Sequence, residues 1–525
     1  VKAHNKWLTA PLAAGLAAAL LSGCGTEKGG DSGGSGSAVT VGMSDEIMAT
    51  DPAAGYDPGS WLLFNNVFQS LLAFPKGASE PEPEAADKCG FSGGSKIYTC
   101  TLRDGLKFSN GNPLTSEDVK FSFERALKIA DPNGPAPLLS SIDSIETPDE
   151  KTVVFKLKVP DATFPSKIAS GAGSIVDHRE YPADGLRTDG KAVGSGPYKL
   201  ESFSDSQATF TGNDSYQGNA KRKNGSVTLK LYQGDREALA KALSAGDIDV
   251  AYRGLAADDI AALENAQDNQ GIQVVQGSSA EVQHLVFNVK DPVVGKIGVR
   301  KAIAHLVDRE ALVQNVYKST ATPLYSIVPT GIAGHATSFF DTYGEPDTAK
   351  AKTALRKDGI TGKVKLTLWS TPNRFGPATD QMMEAIAGQL NASGLFDAKV
   401  QSVSFEQYEK DIAAGKYGVY VRGWVPDYPD ADNFTSPFFG DDNVLGNRYQ
   451  NALITGELLP AVAASPDRGQ TGSTYTKVQD LVADELPLLP LWQGKQYAVA
   501  REGVTGLEWT LDASTVFRFW EIKKG

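Results

Sequence analysis

The apolar run LAAALLSGCG, which stops at Cys24 behind the basic residues Lys2, His4 and Lys6, constrains what this chain can fold into more than any other stretch. The segment from Trp7 to Leu21 is rich in Ala and Leu, but it is shorter than the roughly 20 residues a membrane-spanning helix needs. It reads as a cleaved address, so the fold has to be built by the residues after it. No second apolar stretch in the sequence is long enough to cross a bilayer, and hydrophobic residues at 41% with charged residues at 22% are ordinary for a soluble globular body. Length alone allows two to four domains, or one large bilobal body with inserted pieces.

The ending Leu21-Ser22-Gly23-Cys24 resembles a bacterial lipoprotein signal. The resemblance implies a signal peptide over residues 1–23, with Cys24 as first mature residue carrying lipid on its sulfur. Residues 24–37 continue as a Gly/Ser-rich tether that can bury nothing. Within it GDSGG formally matches a serine-protease signature, but no strand precedes it and no helix follows, so no catalytic residue is assigned there. With Cys24 given to lipid, Cys89 and Cys100 are left as a natural pair in an oxidising compartment. They bracket FSGGSKIYT, where Gly93 and Gly94 can turn a hairpin and bring the two sulfurs together, so a structural disulfide is expected.

The formal net charge of -12 argues against a nucleic-acid partner, because that affinity rests on clustered Lys and Arg. Lys221, Arg222 and Lys223 form a short basic cluster that reads as a solvated loop. His178, His284, His305 and His335 are scattered without ligand spacing, so no metal site is assigned, and no cofactor is expected. No nucleophile, base and orienting acid can be assembled, and no phosphate-cradling P-loop is present.

Strand and helix patterns alternate through the body, an α/β succession. AVTVGM and KIYTCTLR alternate as strands. Thr115 with Asp118 reads as a capping box opening an amphipathic helix through Val119, Phe123 and Leu127. REALAKALSAGDIDVAY reads as a helix closed at Gly246 and followed by a strand, and Asp308 as an N-cap between two helical stretches.

Several of these segments resemble the family 5 extracellular solute-binding proteins of ABC importers, the oligopeptide, dipeptide and nickel receptors. They are TLRDGLKFSNGNPLTSEDVKFSFERAL (Thr101 to Leu127), GSGPYKL (Gly194 to Leu200), ALSAGDIDVAY (Ala242 to Tyr252), HLVFNVKDP with VRKAIAHLVDREALV, and DELPLLPLWQ. The resemblance implies a bilobal periplasmic-binding-protein-like fold, type II and of the large cluster, with a subdomain inserted in the first lobe. Carried onto this sequence, lobe I comprises residues 38–60, 194–280 and 487–525, the insert residues 61–193, and lobe II residues 281–486. The borders of lobe II become the crossings at which the lobes bend.

KYGVYVRGWVPDYPDADNFTSPFF (Lys416 to Phe439) is the candidate site. A strand through Val419 and Val421 is broken by Gly423, Pro426 and Pro429 into an irregular loop of polar and aromatic groups. In peptide-binding relatives a W-x-x-D here sets its aspartate against the peptide's free α-amino group, a role matched by Trp424 and Asp427. The same resemblance implies that the backbones of Gly423 and Val425 pair with the bound peptide as an added strand. Tripeptide-preferring relatives carry an arginine three residues before the tryptophan, where this chain has Val421. Arg422, on the opposite face, and Arg374, in the loop STPNRFGP, are the candidate cations for the ligand's carboxylate. Trp61, Trp369 and Trp492 read as core.

The expected function is that of a monomeric, membrane-anchored receptor on the outer face of the cell membrane, capturing short peptides for the permease subunits of an ABC importer. Its rivals are a non-peptide ligand such as a nickel chelate or an oligosaccharide, a peptide-pheromone receptor, and an extracytoplasmic hydrolase. Sequence does not separate nutrient import from signalling.

Overall fold

The turns and caps expected from sequence form where their residues require them. Gly93 and Gly94 take left-handed backbone at φ 62° and 66°, which lets Ala86–Ser92 fold back on Ile97–Leu102 with Cys89 directly opposite Cys100. The two sulfurs are bonded. The Thr115 N–H donates to Asp118 Oδ2 at 2.8 Å, completing the capping box of the helix Ser116–Ile129. Gly246, at φ 81°, ends the helix Arg236–Ala245, and the Asp308 side chain caps the next helix by accepting from the Ala311 N–H.

These elements belong to a computed structural model that describes residues 37–371, 378–440 and 443–525. Cys24, the tether up to residue 36 and Arg374 lie outside the described residues. Among the described residues no helix is long and apolar enough to cross a membrane.

The largest sheet among the described residues has 11 strands. In order they are Phe396–Ser402, Val364–Ser370, Val419–Trp424, Ile272–Phe287, Leu488–Arg501, Val250–Tyr252, Val39–Met43, Ser226–Leu231, Gln207–Gly212 and Tyr198–Ser204, with Ala321–Pro323 also pairing Leu488–Arg501. Ile272–Phe287 and Leu488–Arg501 run antiparallel along most of their length. The first pairs through Val282–Phe287 with Val419–Trp424, whereas the second pairs through Ala498–Ala500 with Val250–Tyr252. Each half of the sheet therefore hangs on a different end of one two-stranded ribbon. Between Ser278 and Val282 the register of the ribbon shifts, an irregularity of the kind that bends and twists a strand pair.

Separate apolar cores fill the two halves. One is built from buried residues between Ala280 and Trp492, the other from Val39, Val41, Tyr198, Leu229, Phe517, Phe519 and their neighbours. A third core lies under a four-stranded antiparallel sheet of Ala86–Ser92, Ile97–Leu102, Thr152–Leu157 and Ile142–Glu146. The helix Ser116–Ile129 closes it through Val119, Phe123 and Ala126, with Leu127 half-buried at its edge. Every buried member of this third core falls between residues 53 and 175 except Tyr428.

Arg125, on that helix, donates through both terminal nitrogens to Asp51 at 2.8 and 2.5 Å, and both side chains are 2% exposed. The same carboxylate accepts the Arg187 N–H at 2.7 Å, so one buried charge pair ties the segment before the first helix to the third core. Removing one partner strands a buried charge, at a cost of about 3–5 kcal/mol. Arg125→Met is expected to lose that much in urea unfolding, and Arg125→Met with Asp51→Leu to regain most of it.

Candidate functional site

The strand Val419–Trp424 delivers the candidate loop. On one side it pairs with Ile272–Phe287 along its whole length, Val282 opposite Trp424 and Gln283 opposite Gly423. On the other it pairs with Val364–Ser370 at Val419 and Tyr420, and among the described residues no strand pairs that edge from Val421 onward. The Val421 N–H donates to Tyr408 Oη at 2.9 Å, and the Val421 carbonyl accepts from the same hydroxyl at 2.8 Å. Backbone groups alternate sides along an antiparallel strand, so Gly423, two residues on, turns its own N–H and C=O toward that open edge.

Beyond Val425 the chain folds back through the short helical turn Ala431–Phe434, which brings Asn433 against Asp427. The Asp427 N–H and Trp424 Nε1 both donate to Asn433 Oδ1 at 2.9 Å, and Asn433 Nδ2 donates to Asp427 Oδ2 at 2.9 Å. The other carboxylate oxygen, Oδ1, accepts the Tyr56 hydroxyl at 2.8 Å. Asp427 is 9% exposed, and among the described residues no cation bonds it. Burial raises its carboxyl above the usual range, while the bonds from Asn433 and Tyr56 and the charge of Lys167 pull the other way.

Trp424 is half-buried, edge-on to Phe438 at 5.4 Å between ring centroids. Phe438 in turn meets His284 at 5.6 Å. His284 is fully buried with neither ring nitrogen bonded, and burial pushes its imidazole down to about 3. It stays neutral and packs as an aromatic ring behind Trp424.

The loop acids are not solvated. Asp432 is 7% exposed, accepts from the hydroxyls of Tyr428 and Ser436 at 2.9 and 2.6 Å, and is raised first by burial. Asp430 is held by Arg468 through two bonds of 2.7 and 2.8 Å. Tyr428 places its ring in the third core, and nearby the Ala162 N–H donates to the Ala463 carbonyl at 2.8 Å.

The remaining sequence candidates fall differently. Both terminal nitrogens of Arg422 donate to the carboxylate of Glu409, while its Nε is buried without a partner among the described residues. Trp369 stacks on Tyr417 at 4.1 Å, Trp492 is buried and donates to Gln283 at 3.1 Å, and Trp61 donates to the Gly55 carbonyl at 3.1 Å. Tyr56 and Asn433 were not legible as site residues. Tyr56 sits just before the Asp57-Pro58 start of a helix, where its only sequence signal is an aromatic at N′, and Asn433 is one polar residue among several. Donor atoms of Asp118, Asp177 and His178 lie within 4.8 Å of one another, but Arg179 donates to both carboxylates, so a side-chain cation already sits on the group.

The model of the bacterial extracellular solute-binding proteins, family 5, matches residues 80–446. The chain is 29% identical over 477 residues to the Escherichia coli K12 protein named "Probable D,D-dipeptide-binding periplasmic protein DdpA", covering 88% of this chain and 89% of that one. It is 25% identical to the dipeptide-binding protein DppE of Bacillus subtilis, covering 94% and 95%. Among solved structures it resembles the periplasmic binding protein DppA of Helicobacter pylori in complex with the peptide STSA. That match has a TM-score of 0.76 and 23% identity, and covers 93% of this chain and 98% of that one.

Because the Asp427 carboxyl is raised above its ordinary 3.8, the folded state takes up its proton before the unfolded state does. Its contribution to stability is full below 3.8 and is lost as pH rises through the raised value. Without ligand, the stability of wild type relative to Asp427→Asn is therefore expected to rise as pH falls from 7 to 4, read from urea melts of both across that range.

Proposed function

The chain belongs to the family 5 bacterial extracellular solute-binding proteins, and from that premise we propose that it captures short peptides between two lobes, with Asp427 receiving the peptide's α-ammonium. The observation that carries this reading is a buried carboxylate that, among the described residues, is bonded only by the neutral donors Tyr56 and Asn433. Such a group is costly to ionise until a cation joins it, and a peptide's α-ammonium supplies a compact charge with three donors. The open edge at Gly423 and Val425 supports capture of the peptide backbone as an added strand, which gives affinity with little regard for side chains. Trp424, braced by Phe438 and His284, forms the wall beside the ligand's first residue. Arg422, whose terminal nitrogens are held by Glu409, and Arg374 are the candidates for a ligand carboxylate. The relatives named for dipeptides and the neighbour holding STSA support a peptide as the ligand class.

On this reading lobe I comprises residues 38–60, 194–280 and 487–525 with the insert 61–193, and lobe II residues 281–486. The ribbon of Ile272–Phe287 and Leu488–Arg501 is then the hinge, and the bond from Tyr56 to Asp427 crosses the cleft. Closure is stabilised by the ligand's greater affinity for the closed lobes, and the permease subunits of an ABC importer receive that form. The body works as a monomer held to the outer face of the membrane by lipid on Cys24 and the tether of residues 24–37.

The test is a thermal-shift titration of the mature body with two pools of short peptides that include D-alanyl-D-alanine, one with free and one with acetylated N-termini. Stabilisation by the free pool alone is expected, with affinity falling at least about 30-fold in Asp427→Asn, the low end of the 2–5 kcal/mol that a broken buried charge pair costs. Silence from both pools points to a non-peptide ligand, and equal shifts in the variant reduce Asp427 to a structural acid.

A further inference from the structure

A cavity that Asp427 does not line lies beyond the C-terminal end of the helix Pro58–Val67. It measures about 630 Å³, within the range of small-molecule sites. None of the partners of Asp427 lines it. Its inner wall is apolar, formed by the buried Phe68, Leu72 and Phe74, with the half-buried indole of Trp520 at one side.

Its rim is basic, in a chain whose formal net charge is -12. Five cationic and three acidic side chains line the cavity, and the pairing among them is uneven. Glu84 is buried and saturated by neutral donors, its oxygens accepting from Gln69, the Tyr216 hydroxyl and the Asn219 N–H. Lys76 and Lys223 share the single carboxylate of Glu521, at 3.6 and 2.7 Å, while Arg518 is held by Asp512. Glu82 is exposed.

Arg103 spends its donors on the carbonyls of Pro83 and Ala86 and on Asn219 Oδ1, at 3.0, 3.2 and 2.9 Å, and no carboxylate pairs with it among the described residues. Lys221 makes no hydrogen bond or ion pair among the described residues, and the Asn219 that holds Arg103 lies two residues before it. At the inner wall, Gln69 is 3% exposed and its Oε1 is buried with no donor. The basic cluster that reads from sequence as a solvated loop is thus divided: Arg222 turns to the Asn213 carbonyl and Asp214, while Lys221 and Lys223 line the cavity.

We propose that this cavity is a second ligand site, for a small amphipathic carboxylate whose apolar body lies on Phe68, Phe74 and Trp520 and whose anionic end meets Lys221 and Arg103. A cation of the same shape would face unpaired positive charge, and an anion without an apolar body would leave the wall unfilled.

The test is a fluorescence titration of the full chain with 1-anilinonaphthalene-8-sulfonate, an aromatic anion, competed by 3-phenylpropionate, by 3-phenylpropylamine and by inorganic sulfate. Saturable binding at one site is expected, displaced by phenylpropionate but not by the amine or sulfate. Lys221→Glu, on the surface, is expected to weaken dye and phenylpropionate at least fivefold, Trp520→Ala to weaken both, and Asp427→Ala to leave both unchanged. Absence of saturable binding, equal competition by the amine, or wild-type affinity in Lys221→Glu would overturn the proposal. Peptide capture is read separately through Asp427, so failure of either reading leaves the other measurable.

Discussion

Both halves of the large sheet are carried by the antiparallel pairing of Ile272–Phe287 with Leu488–Arg501. Among the described residues the strands of one half reach the other only through this ribbon, and each half fills its own apolar core. A register shift near Ser278 and Val282 places an irregular, twistable stretch between the two anchored ends. On the lobe division proposed above, backbone pairing holds each half together and leaves bending to their junction, the arrangement a binding protein that closes on its ligand requires.

Asp427 depends on that arrangement. Its loop leaves the strand that pairs with the ribbon at Val282, so its position relative to Tyr56 is set by the junction and not by local contacts alone. Tyr428, the next residue, packs into the third core. The carboxylate is buried, and among the described residues no cation bonds it. Burial raises that carboxyl, and on the proposed reading an arriving ammonium supplies the opposing charge. On the function proposed above, recognition by a buried acid and by an open strand edge selects a free amine and an extended backbone and asks little of side chains.

Much of this was legible in the residues. The capping box at Thr115 and Asp118, the αL closure at Gly246 and the hairpin between Cys89 and Cys100 are local devices, each decided by a few neighbouring residues, and local chemistry is what a sequence displays directly. The loop at Trp424 and Asp427 was legible because glycine and prolines end a strand in front of clustered acids. Tyr56 and Tyr428 were not, since their roles arise from contacts across 371 positions in one case and from burial in a distant core in the other. Arg422 carried the right charge for a ligand carboxylate, but Glu409 on the neighbouring helix, thirteen positions away, engages it. The division of Lys221 from Arg222 likewise depends on which carbonyls happen to lie beside each side chain.

The most direct measurement is a carbon-13 NMR titration of the Asp427 carboxyl, assigned by its absence in Asp427→Asn, with and without a free-amine dipeptide. The account predicts a midpoint above 3.8 in the unliganded protein, its unperturbed value, and a fall well below that midpoint when the dipeptide is bound. A midpoint unchanged by the dipeptide, in a protein that nevertheless binds it, would contradict the claim that Asp427 receives the ligand's charge.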